Sequence, residues 1–225
     1  LRYGKMAAKV FDVYMKGIRY RYVPFDFNHG HQQNLVGVTT FEVIHEDVIN
    51  ELTQMYPLIK NLVKDDQAII EAGFKKWAEN IIANGVPHNN WDLFQADFIV
   101  KIALVLQDDQ AYADGKGKQY YLDYVVNQNS IRQWSVNKLI DFGFDARSKT
   151  WYESPGYSTT VLGLLGEFSN MLDEKAGIDL FQKCPILVDA VKNSAEYLFP
   201  NRMIAGFGDT HPGYLNTGGI DQVLK

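Results

Sequence analysis

Disulfide bonding within the chain is excluded at the outset, because the sequence has a single cysteine, Cys184. Cysteine usage therefore leaves the redox compartment open, and Cys184 reads as a small buried hydrophobe rather than a nucleophile. No run of about 18 apolar residues occurs, so no helical membrane span is expected. Blocks of like charge are also missing: 22 basic and 27 acidic residues are interspersed, for a net charge of −5. Nothing in that balance points to nucleic acid or an anionic membrane as a partner. Strand-type alternation of useful length is absent, and no fixed-period repeat marks a helical solenoid. The chain opens on Leu1 with no signal-peptide pattern, and helical sequence starts at once. It reads as a piece of a longer polypeptide.

What is present is an ordinary globular composition, 46% hydrophobic, with 13 Tyr, 13 Phe and 4 Trp. A chain of 225 residues can bury a sizeable core. Helical spacing runs through Tyr3, Met6, Val10, Val13, Tyr14 and Gly17, and Pro24 stops it. Phe41 to Val63 predicts one or two helices with Ile44, Val48, Leu52 and Met55 on one face, kinked or divided at Pro57. Asp65 or Asp66 caps a third helix carrying Ile69, Ile70, Phe74, Trp77, Ile81 and Ile82 inward, with Asn84-Gly85 at its end. Further helices are expected at about 91–106, 111–126, 131–142, 157–172 and 185–198. Glycine crowds the stretch after Pro200. Successive helices with short connections predict an all-α fold, a bundle or a toroid of antiparallel helices.

Four polar constellations can carry chemistry. Asn28-His29-Gly30-His31-Gln32-Gln33 offers two imidazoles and two amides. His-x-His alone lacks the ligands of a metal site, so contact with hydroxyls or carboxylates competes with a plain solvated loop. His88-Asn89-Asn90-Trp91 lies directly ahead of a helix. Asn90 is a natural N-cap there, and the same helix end favours an anion. Trp151-Tyr152-Glu153-Ser154-Pro155-Gly156-Tyr157 is a turn feeding a helix, where Tyr157 is a competent acid or base if exposed to a cleft. Gly206-Phe207-Gly208-Asp209-Thr210-His211 is a tight turn that can also present His211.

The order and spacing of these pieces resemble the α/α-toroid polysaccharide lyases of the heparinase II/III and alginate lyase kind. The matching residues are Asn89-Asn90 with His88, then Tyr157 after Glu153, then Gly208-Asp209; the stretch Phe25–Asp47 resembles the early helices of those enzymes. One departure stands out: those families place His directly after Asn, whereas Trp91 follows Asn90 here and His88 precedes the pair.

The resemblance implies an incomplete (α/α) toroid over residues 1–200, with 201–225 as an exit toward a β-sandwich domain outside this chain. It also implies a periplasmic or secreted setting, an acidic polysaccharide as substrate, no cofactor, and a helical piece that can be inactive alone. The implied reaction is β-elimination. Asn90, with Asn89 as second choice, neutralises a uronate carboxylate. Tyr157 moves protons, and His88 or His211 acts as a further base or tunes the phenol. Gln32, Gln33, His29, His31, Trp91, Trp151 and Glu153 contact sugar. Two other classes compete. An α/α-toroid glycoside hydrolase would draw a carboxyl pair from Glu153, Asp92 and Asp209. A non-catalytic carbohydrate- or protein-binding module would need none of these groups.

Overall fold

The computed structural model describes residues 2–20 and 48–214. His29, His31, Gln32 and Gln33 lie outside the described residues, as do Phe25–Asp47 as a whole. The described residues form nine α-helices: α1 (Arg2–Tyr20), α2 (Val48–Ile59), α3 (Gln67–Asn84), α4 (Asn90–Ala103), α5 (Lys118–Asn127), α6 (Val136–Gly143), α7 (Pro155–Ala176), α8 (Leu180–Lys183) and α9 (Ile186–Asn193). Among them the only β pairing is three isolated bridges, Phe144 with Trp151, Leu198 with Ile204, and Met203 with Tyr214. The fold is all-α. No described helix is long and apolar enough to cross a membrane.

The chain divides into two compact units, Leu1–Pro87 with Phe94–Trp134, and His88–Leu93 with Ser135–Lys225. In the first unit the core centres on three rings from three helices. Phe11 stacks on Tyr56 with centroids 5.4 Å apart, and both meet Phe74 at 6.2 and 5.9 Å. On α1 the buried stripe is Ala8, Phe11, Met15 and Ile18. The helically spaced Tyr3, Met6, Val10, Val13 and Tyr14 lie on the exposed side. On α2 the buried face is Ile49, Leu52, Thr53, Tyr56 and Ile59, one residue on from the expected Val48 and Met55. Pro57 sits inside this helix without ending it. One turn earlier, the Thr53 hydroxyl bonds back to the Ile49 carbonyl at 2.7 Å.

Two polar knots fasten this unit. Glu71, 1% exposed, accepts from Gln67 Nε2 at 2.6 Å, Gln107 Nε2 at 3.0 Å and the Tyr112 hydroxyl at 2.8 Å. A buried carboxylate persists because such donors replace its water. Gln95 Nε2 donates to Gln133 Oε1 at 2.8 Å, and Gln95 Oε1 accepts from the Val86 N–H at 2.7 Å. Gly85 ends α3 as expected, but with φ −63 rather than a left-handed conformation. Its requirement is space: a Cβ there would stand 2.5 Å from the Arg132 carbonyl oxygen. The fifth helix begins at Lys118, later than its apolar pattern suggests. Residues 109–111 form a 3₁₀ turn, and Gly117 approaches the Gln107 backbone too closely for a side chain.

The second unit is built on α7, the longest described helix. Pro155 stands in its first turn, where a missing N–H costs nothing. Gly177 closes it in the left-handed region, φ +65. Ser135 caps α6 by accepting from the Lys138 N–H. Asp145 turns the chain after α6, accepting from the Arg147 and Ser148 N–H groups. Those bonds hold its carboxyl below the usual range. Trp151 then lies flat beneath the end of α6. It is 2% exposed and edge-on to Phe144 at 5.3 Å. Cys184 is half-buried, and burial raises its thiol above the ordinary value, as a small packed side chain would show.

A Cβ at Gly143 would fall 1.9 Å from Trp151 Cζ3, and the buried indole has nowhere to move. Gly143→Ala is expected to lower stability by about 1–3 kcal/mol, read as an earlier urea midpoint. An unchanged midpoint would show that the indole does not lie there.

Candidate active site

The site belongs to the second unit, which holds both the start of α4 and the start of α7. Helix α4 begins at Asn90. The capping bond comes from the residue before it, since Asn89 Oδ1 accepts from the Trp91 N–H at 2.9 Å. The cap therefore falls one position earlier than the sequence suggested. Asn90 sits in the first turn and is 8% exposed. Asp92, fully buried, reaches back to the His88 N–H at 3.3 Å. This resembles a reciprocal capping arrangement, and it removes Asp92 from the carboxylates a cleft can use. His88 is exposed and held at φ +58, a conformation that side chains other than glycine rarely adopt.

One hydroxyl ties this segment to the turn ahead of α7. Tyr152 Oη donates to the His88 carbonyl oxygen. The bond fixes the backbone directly before Asn89 and Asn90 against the residue five positions before Tyr157. Tyr152 was not singled out by sequence reasoning, because an exposed tyrosine in a turn carries no pattern that predicts its partner. Burial, with lesser effects from Glu153 and Asp92, pushes its phenol up to about 12.

Trp151 is corrected from a cleft residue to a core residue. Its Nε1 donates to Glu153 Oε2 at 2.6 Å, so the indole orients Glu153 rather than meeting solvent. Tyr157 is partly exposed and lines two adjoining recesses. The larger, about 640 Å³, includes Tyr157, Thr160, Asp209, His211 and Tyr214. The smaller, about 310 Å³, includes Glu153, Ser154, Tyr157, Phe207 and Asp209. Both volumes fall in or near the range of small-ligand pockets. Of the sequence-predicted residues, the structure brings Tyr157 together with His211, and Tyr157 together with Glu153. His88, Asn89, Asn90 and Trp91 line neither recess; they are connected to this region through Tyr152.

The loop at 206–213 is held over the start of α7 by Thr210, whose Oγ1 accepts from the Gly156 N–H at 2.7 Å. A helix N-terminal N–H usually bonds to a local cap. Here a residue 54 positions away in the chain supplies the acceptor. Gly208 adopts φ +59 in this loop, and Gly156 lies close beneath Thr210. No group of three or more His, Cys, Asp or Glu side chains suited to a metal ion occurs among the described residues.

Residues 147–222 match the family model of the second domain of endo-acting ulvan lyases. The match supports a polysaccharide lyase at the family level, and it does not single out the heparinase II/III or alginate lyase types. It spans roughly a third of the chain, taking in Trp151 to Tyr157 and Asp209 to His211 but not His88 to Trp91. Neither the curated proteins nor the solved structures give a significant match.

Tyr152→Phe is expected to lower stability by about 1 kcal/mol, measured by chemical denaturation. The pH dependence has a definite sign. The folded state raises this phenol from 10.0 to about 12, so its contribution is present below pH 10. That contribution is lost as pH climbs through 12. The phenylalanine variant should therefore show a shallower alkaline loss of stability than the parent. Parallel curves would remove Tyr152 from this role.

Proposed function

We propose that this chain is the helical part of a polysaccharide lyase that cleaves a uronic-acid-containing polymer by β-elimination. The observation that carries the reading is Tyr157, which opens α7 at the junction of two recesses, with His211 on one and Glu153 on the other. The family match over 147–222 supports the same chemistry.

In such a reaction a base takes the proton from C5 of the uronate. The electron pair of that bond forms the C4–C5 double bond, and the C4–O4 bond breaks. The leaving oxygen then takes a proton. Tyr157 accepts the first proton, delivers the second, or does both. His211, on the same recess, is the nearer candidate for a second proton-transfer group, with His88 as the other. The uronate carboxylate resists further negative charge, and a neutral donor at a helix start offsets it. Neither amide at the start of α4 lines the recesses at Tyr157, so this role requires the substrate to extend from them toward α4; of the two, burial and bonding favour Asn89 over Asn90. The Oδ1 of Asn89 is held by the Trp91 N–H, which leaves its NH₂ as the donor end, whereas Asn90 is nearly enclosed. Ulvan, the polymer named by the matching family, is the first substrate to test, beside heparan sulfate and alginate. A periplasmic or secreted setting accords with a polymeric substrate.

A glycoside hydrolase is the second reading, favoured by one observation: Glu153 and Asp209 line the same recess. Products separate the two. A lyase leaves an unsaturated, UV-absorbing end, and a hydrolase does not.

Tyr157→Phe is expected to reduce turnover by roughly 10²–10⁴-fold while binding of the polymer is retained. Asn89→Ala should cost about 10²–10³-fold in kcat, with Asn90→Ala acting mainly on stability. Full activity in Tyr157→Phe, or hydrolytic products from the parent, would overturn the lyase reading.

A further inference from the structure

Helix α1 carries two apolar stripes of the same spacing. One is Ala8, Phe11, Met15 and Ile18, and it is buried in the first unit. The other is Tyr3, Met6, Val10, Val13 and Gly17, in alternating steps of three and four residues. Tyr3 and Val13 are 82% and 71% exposed, and Met6 and Val10 are about half exposed. Gly17 is exposed as well, and a Cβ there would meet no neighbour within 4 Å. Alternating three- and four-residue steps are the pattern by which one helix seats its side chains between those of another. A lone exposed apolar residue is ordinary, whereas a contiguous stripe along a 19-residue helix marks an interaction surface.

The edges of the stripe define what the second helix carries. Arg2, Lys9 and Lys16 recur every seven residues along one edge, each one position before Tyr3, Val10 and Gly17. All three are exposed, and none forms an ion pair among the described residues. The other edge is Ala7 and Tyr14, without charge. Asp12, the only acid of α1, is turned to the neighbouring chain and accepts from the Lys64 N–H. In paired helices the positions beside the apolar seam face the partner's edge and select its charge. A basic row there fits a helix with acidic residues beside its own apolar stripe. A second copy of α1 fits poorly. Run antiparallel, it sets basic edge against basic edge; run parallel, it leaves that edge facing Ala7 and Tyr14.

We propose that the exposed stripe of α1 is a docking surface for an amphipathic helix with acidic edges, seated by Tyr3, Met6, Val10 and Val13 and oriented by Arg2, Lys9 and Lys16. Gly17 leaves room for a bulky side chain of that helix at one end of the seam. The inference is independent of the lyase reading, because none of these residues lines the recesses at Tyr157.

The test uses the whole chain and fluorescein-labelled synthetic helical peptides as long as α1. One has Leu in its stripe and Glu along both edges; a second replaces Glu by Lys; a third keeps Glu and replaces Leu by Ser. Fluorescence anisotropy should show the Leu/Glu peptide binding about tenfold more tightly than the Leu/Lys peptide. The Ser/Glu peptide should not bind. Val10→Ser combined with Val13→Ser changes exposed side chains only, and circular dichroism should show the fold kept while binding weakens by about tenfold or more. Reversing the edge with Arg2→Glu, Lys9→Glu and Lys16→Glu should transfer the preference to the Leu/Lys peptide. Failure of the Leu/Glu peptide to bind, equal binding of the Glu and Lys peptides, or indifference to the valine changes would overturn the proposal. Two other outcomes would replace it. A dimer in sedimentation that dissociates on the valine changes assigns the stripe to a second copy. Binding to phosphatidylcholine–phosphatidylserine vesicles in preference to the Leu/Glu peptide assigns it to a membrane surface.

Discussion

Three consecutive side chains, Trp151, Tyr152 and Glu153, hold the second unit in its working form by pointing three ways. The indole goes under Gly143 into the core. The phenol reaches the His88 carbonyl. The carboxylate turns toward the recess while accepting from the indole N–H. Each depends on the others, because the chain between the α6 turn and α7 is extended and brief. If the indole were displaced, Glu153 would lose its orienting donor and Tyr152 its anchor. Gly143 is the quiet requirement behind all three, since any side chain there would occupy the space of the ring.

The start of α7 shows a related economy of partners. A local cap from Ser154 would leave the 206–213 loop without its attachment. Thr210 supplies the acceptor instead, so a loop distant in sequence is fastened to the first turn of the helix. That attachment places Asp209 and His211 beside Tyr157. It also leaves the Ser154 hydroxyl unpaired in a recess wall. An unsatisfied buried hydroxyl costs stability, a cost set against the fastening of the distant loop by Thr210.

Much of this was legible in the residues. Helix-spaced apolar positions located most of the helices, and Asn84-Gly85, Pro155 and Asn89-Asn90 marked ends that the structure confirms to within a residue or two. The errors share a cause. α1 carries apolar residues on two sides, and spacing alone chose Tyr3, Met6, Val10, Val13 and Tyr14, while the core took Phe11, Met15 and Ile18. Periodicity states that a face exists; it does not state which face has a partner. Trp151 was assigned to a cleft for its type, and its neighbour Tyr152 was passed over, because hydrogen-bond partners 64 residues apart leave no local trace.

The residues by themselves determined an all-helical chain, because 3.6-residue periodicity and capping chemistry are local properties written into neighbouring positions. They also located the segments with reactive side chains, at 88–91, 151–157 and 206–211. Only the tertiary structure decided which of those groups share a recess, which amide is enclosed and which helix start is capped from afar. Those outcomes depend on side-chain volume and on donors and acceptors meeting across long stretches of chain, and such meetings are settled by packing rather than by sequence order.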